Sequence, residues 1–300
     1  MASNLFWFYD VLIIGIALIY LYVGKNRGLM RSVVLVALTV VSVGVSWLAC
    51  QIAAPIVYDS FFKEPILNAL IDSSQKTDPV AVVSGAVSSG GYGVEMTNPE
   101  VEDVITKGGD FFQNIAGEIK NNGASESETS IESGMEESVT ESMLKALVGD
   151  VVSPSVLTEI LGSVSDAENS VKNVVSIFLN GDRSATAAAV ESKIVAPAVK
   201  AIIRGIIWIV VMFVLLFLSR FIANLFKSIN KVPIIGPINS ILGAVLGLAE
   251  GLVVIYLISQ VVRMICYFTS NSLMFLNVET VRETYLFKYL FYFDVMTLIG

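Results

Sequence analysis

The residue most able to do chemistry in this sequence is Glu250, an ionisable side chain in the apolar run from Ile238 to Val262. Gly243, Gly247 and Gly251 repeat around it at every fourth position. On a helix that spacing lines one side with bare backbone, so a second helix can approach closely. Glu250 lies seven residues beyond Gly243, nearly two turns, which aims its carboxyl toward the glycine seam and away from lipid. A carboxyl at that depth is costly and suggests function. Three roles are open to it. It can be protonated and hydrogen-bonded to a neighbouring helix, paired with a base from another span or subunit, or used as an ion or proton site. Arg204 is the nearest intramembrane base by position. At ~1.5 Å rise per residue, however, the expected topology puts it roughly 13 Å away along the membrane normal.

Little else offers catalysis. The sequence has no histidine, which removes the commonest general base and transition-metal ligand. Two cysteines, Cys50 and Cys266, cannot build a zinc site or a disulfide framework, though one bridge between them is conceivable in an oxidising compartment. Ser192 beside Lys193 reads as a helix surface, not a Ser/Lys nucleophile pair. The Ser/Gly-rich stretch 84–93 lacks the Lys of a phosphate loop, and the carboxylates of 121–142 lack EF-hand spacing. The expectation is a protein that is not an enzyme and takes no metal or cofactor. No basic patch with interleaved aromatics marks a nucleic-acid partner.

The elements that must position Glu250 are membrane spans. Of the 300 residues 54% are hydrophobic and only 15% charged, with a mean hydropathy of +0.72. Apolar runs cover Phe6–Val23, Val33–Ala54, about Ala201–Leu218 and Ile238–Val262. Each approaches the ~20 residues that cross a bilayer core. Residues 1–10 hold no Lys or Arg, so the first run reads as a retained span and not a cleaved leader. The linker Gly24–Arg31 carries Lys25, Arg27 and Arg31, and the linker after span three carries Arg220, Lys227 and Lys231, neither with an acid. Basic loops stay in the cytoplasm. Both termini and the region 55–195 are therefore expected outside.

The expected fold is an all-α integral membrane protein with four transmembrane helices in two hairpins. The hairpins occupy 1–54 and 196–263. Between them, 55–195 holds 22 acids against 8 bases and reads as helical, with loose stretches at 84–93 and 121–142. Val101, Val104, Ile105, Phe112, Ile115 and Ile119 recur at helical spacing, and Ser165 with Glu168 forms a capping box ahead of a Gly181 stop. In the tail, 264–300, six aromatics fall between Tyr285 and Phe293, which predicts an interfacial helix over 285–299.

Two blocks carry a family resemblance. The first is Phe8-Tyr9-Asp10 leading into a span, then Gly24-Lys25-Asn26-Arg27-Gly28-Leu29-Met30-Arg31-Ser32. The second is Pro233-Ile234-Ile235-Gly236-Pro237-Ile238-Asn239, followed by Gly243, Gly247, Glu250 and Gly251. In this order, the Arg-Gly turn and the Pro-Gly-Asn entry into a glycine-rich span resemble the colicin V production protein (CvpA) family of bacterial inner-membrane proteins. The resemblance implies a multi-pass protein tied to production or export of a peptide toxin, or to envelope maintenance, and no catalytic residue carries over. The expected partners are the lipid bilayer and other membrane helices, in a homo-oligomer or in export and envelope proteins. The alternative is a small oligomeric transporter or channel that uses Glu250.

Overall fold

A computed structural model describes residues 6–152, 156–157, 160, 168–225, 236–269, 273 and 276–293. Every regular element among the described residues is helical. The chain divides into two compact units, residues 1–54 with 202–300, and residues 55–201.

Unit 1 contains α1 (Phe6–Arg27), the start of α2 (Leu29–Val57), most of α10 (Ala196–Leu225), α11 (Gly236–Phe268) and two short tail helices, α12 (Val278–Arg282) and α13 (Phe287–Tyr292). Among the described residues four helices are long and apolar enough to cross a membrane, the expected number. Their outer faces carry large apolar side chains: Phe217 is 77% exposed and Val40 66%. A water-soluble protein rarely shows so much contiguous apolar surface, whereas lipid covers it without cost. Within α2, buried hydroxyls are satisfied by the helix's own backbone. Thr39, Ser42 and Ser46 of α2 are buried, and each hydroxyl donates to a carbonyl four residues back, at 2.7–2.9 Å. Such local bonds let a hydroxyl sit in an apolar interior without an orphaned donor.

Unit 2 begins at Pro55, within α2. A π-helical turn, Tyr58–Phe62, leads into α3 (Lys63–Lys76). It continues with α4 (Pro79–Ser89), α5 (Asn98–Thr106), α6 (Phe111–Asn121), α7 (Glu128–Val148), α8 (Glu168–Leu179) and α9 (Arg183–Val190), then a second π turn, Glu191–Val195, before α10. The helices start where the sequence supplies caps. Asp78 accepts from the Val80 N–H, Asp110 from the Phe112 and Gln113 N–H groups, and Asp182 from the Ala185 N–H.

The expected looseness of 121–142 is overturned. Residues 128–142 belong to α7, which packs against α3, α4, α6 and α8. Ile131, Met135, Val139, Met143, Leu144 and Leu147 of that helix are all buried to 1% exposure or less. Its Ser and Glu residues form the wetter face, while Thr140 is buried with the apolar side chains. The stretch 84–93 is also mostly ordered, since α4 runs to Ser89. Gly91 and Gly93, with φ of 75° and 68°, then turn the chain so that Tyr92 lies against Gly134 of α7. Burial pushes the Tyr92 phenol up, and the neighbouring Glu126 adds to the shift. Gly181 closes α8 with a φ of 78°, as expected of a stop. Ser165 lies outside the described residues, as does the side chain of Glu168.

Candidate functional site

The glycine seam of α11 meets α1 of the same chain. A Cβ added to Gly247 would lie 2.7 Å from the Gly24 Cα, and one added to Gly251 would lie 2.8 Å from the Tyr20 Cβ. A Cβ on Gly243 would fall 3.0 Å from the Gly28 carbonyl carbon. The two helices therefore touch backbone to backbone, in antiparallel register. Gly24 is the fourth member of the seam. Its signal in the sequence is a glycine four residues before Gly28.

The turn between α1 and α2 is one residue long. The linker expected over Gly24–Arg31 shrinks to Gly28, because α1 runs to Arg27 and α2 starts at Leu29. Gly28 takes a φ of 77°, a left-handed conformation that favours glycine. Asn239, from the first turn of α11, closes it. The Leu29 N–H donates to Asn239 Oδ1 at 2.6 Å, and a Cβ on Gly28 would stand 2.9 Å from Asn239 Nδ2. Ser240 Oγ donates to the Lys25 carbonyl at 3.3 Å. Gly236 and Pro237 open α11, where a proline costs no internal hydrogen bond.

Glu250 lies beside this seam, 4% exposed. Its Oε2 accepts from Arg27 Nη1 at 2.9 Å, and its Oε1 lies 3.5 Å from Arg220 Nε. Arg220 also donates to the Tyr20 hydroxyl and stacks over that ring, 5.6 Å from its centroid. Arg31 donates to the Asn224 side-chain oxygen. Each carboxylate oxygen thus faces one guanidinium, from α1 on one side and α10 on the other. Of the three roles open to Glu250, the geometry is that of a pair with bases of other spans. The partner is not Arg204, which lies sixteen residues earlier on α10 than Arg220, about 24 Å at ~1.5 Å per residue.

The basic residues read as topology signals are thereby placed. Arg27, Arg31 and Arg220 lie within helices, and Arg27 and Arg220 hold Glu250. Lys25 is exposed. Lys227, Lys231 and Pro233 fall outside the described residues.

A second polar contact was absent from the sequence reading. Asp10, buried near the start of α1, accepts three backbone N–H groups of the tail, from Tyr285, Leu286 and Phe287, at 2.8, 2.9 and 3.1 Å. It caps α13 from outside that helix. Phe287 and Phe291 pack beneath it with Tyr9, Ile13, Ile255 and Cys266. Among the described residues the tail helix spans Phe287–Tyr292, residues 294–299 of the expected helix lie outside the described residues, and the side chains of Tyr285, Tyr289 and Tyr292 stay exposed. Cys266 and Cys50 are both buried and free, in separate apolar clusters.

The family model described as colicin V production protein matches residues 173–290. No curated protein and no solved structure matches the chain. The matched stretch covers α9 to α12 and contains the whole α11 seam, Glu250 and Arg220. The first block, Phe8–Ser32, lies outside it, yet this block supplies Gly24, Arg27, Gly28 and Asp10 to the contacts just described. Over residues 173–290 the chain is thus similar to colicin V production proteins, and four of its described helices are long and apolar enough to make it a multi-pass membrane protein.

Proposed function

We propose that the chain is a non-enzymatic protein of the bacterial inner membrane that supports toxin production or export, or envelope maintenance, as a helical scaffold. The observation that carries this reading is the closure of Glu250 inside one chain. Both of its oxygens face arginines, and the seam beside it is filled by α1. A carboxylate so held is a cross-brace between α1, α10 and α11. An ion or proton pathway needs a carboxyl that exchanges partners with the transported species. The glycines are likewise spent within the chain, so contacts with other membrane proteins fall to the exposed apolar faces of the spans or to unit 2. On the charge of the short turns, we place Gly28 and the α10–α11 connection in the cytoplasm, and unit 2 with both termini outside.

The test is ion flux in proteoliposomes holding the full chain, with a pH-sensitive dye inside and a potential applied. As a scaffold, wild type and E250Q leak protons no faster than empty vesicles, while E250Q melts at lower temperature. A wild-type flux that E250Q abolishes without loss of stability would instead establish the transporter alternative.

A further inference from the structure

Unit 1 has a second polar cluster, at the end of α10 far from Glu250. Arg204 Nε, Trp208 Nε1 and Gln260 Nε2 are buried and have no hydrogen-bond partner, and Trp208 as a whole is only 4% exposed. The three belong to one level of the α10–α11 contact. The Trp208 ring meets Tyr256 edge-on at 6.0 Å, and the Met264 methyl lies 3.5 Å from where a Cβ on Gly205 would stand. Gln260 is one turn from both Tyr256 and Met264, on the side of α11 turned to α10. Arg204 is one turn from Trp208 on α10. Trp208 also shares its apolar cluster with Cys50 of α2, so three spans converge here.

Arg and Trp side chains carry donors and no acceptors, so they cannot satisfy each other, and the single amide oxygen of Gln260 is too few for the donors of all three. Whatever meets these N–H groups must bring oxygen acceptors and, opposite a fixed guanidinium, negative charge. In an apolar surround water does not compete for them. We infer that Arg204, Trp208 and Gln260 form a binding site for a phosphate-type oxyanion between α2, α10 and α11. Such a group comes from a phospholipid headgroup or from soluble phosphate. A planar guanidinium favours its oxygens, and the indole N–H adds a second, neutral donor. The site is independent of Glu250 and of the scaffold reading.

The test uses the full chain in detergent, stripped of lipid. Native mass spectrometry reads binding of added phosphatidylglycerol, and thermal melting reads protection by inorganic phosphate. W208F keeps the aromatic packing and removes only the N–H, so it reports on binding in a folded protein. R204Q removes the charge. Wild type should hold one phosphatidylglycerol at least about tenfold more tightly than either variant, a factor worth ~1.4 kcal/mol. Retention of the lipid without protection by phosphate assigns the site to a headgroup. Protection by phosphate that W208F loses assigns it to a soluble oxyanion. A wild type that holds neither probe, or variants that hold both as tightly as wild type, would overturn the proposal.

Discussion

The two units are both built of helices, but they choose their helix partners by different means. In unit 2, apolar side chains recur on one face of each helix, and α7 gathers those faces into a core capped by Asp, Ser and Thr at the helix starts. In unit 1, every face of a span is apolar, so burial of apolar surface cannot say which side meets which neighbour. Glycines and a handful of polar groups carry that information: Gly24 against Gly247, Asn239 on the Gly28 turn, Arg27 and Arg220 on Glu250, and Asp10 on the tail. In water the pattern of many residues decides the packing. In lipid a few residues decide it, and each matters more.

The same substitution in both units breaks or upholds this contrast most sharply. In G247A the new methyl meets the Gly24 backbone, which cannot move aside, so α1 and α11 must separate. We expect a loss of ~1–3 kcal/mol, the usual cost of overpacking, and more for G247V. In G134A the methyl meets only the hydroxyl end of Tyr92, a side chain free to swing. There the helical gain of alanine over glycine, ~0.5–1 kcal/mol, offsets the adjustment, and the net change should be near zero. Thermal melting of both variants in one detergent decides it, and equal losses would erase the distinction between the units.

Next in size is Asp10. D10N keeps the shape but turns one acceptor oxygen into a donor facing backbone N–H groups. At ~1–3 kcal/mol for an unmet buried polar group, the tail should loosen. Hydrogen exchange at residues 285–293 should rise many-fold while α7 stays protected. Unchanged exchange in the tail would show that Phe287 and Phe291 alone hold it.

The smallest effect belongs to unit 2. Glu100 accepts from the Thr97 backbone N–H at 2.7 Å and from the Thr97 hydroxyl at 2.8 Å, which holds its carboxyl below the usual carboxylate value. Its contribution is therefore present above the ordinary carboxylate value and fades as pH falls through the lowered one. E100Q should flatten the acid limb of the melting temperature slightly. An acid limb unchanged by E100Q would mean that the capping box is not felt.

The sequence was legible where pattern and physics coincide. Four apolar runs, the α11 glycines and the turn of Glu250 away from the outer surface could all be read from it. The partners of Glu250 could not, because basic residues near span ends signal topology and ion pairing with the same letters. Nor does chain order tell which spans touch. Helix α7 was misread because Ser and Glu on its wet face dominate its composition. The recurrence of Ile131, Met135, Val139 and Met143 at every fourth position was the signal to follow. The contact of Asp10 with a tail some 275 residues away had no local mark.

Whether Glu250 braces the spans within one chain is measured directly by a double-mutant cycle on R27Q, E250Q and the double variant. R27Q leaves buried Glu250 with Arg220 alone and E250Q leaves Arg27 without its carboxylate, at ~3–5 kcal/mol for a truly buried pair and less here because Arg220 remains and Arg27 is 18% exposed. The double variant should then lose clearly less than the sum of the two, by at least ~1 kcal/mol. Losses that add to within ~0.5 kcal/mol would mean that the two residues do not act on each other, and would contradict the brace.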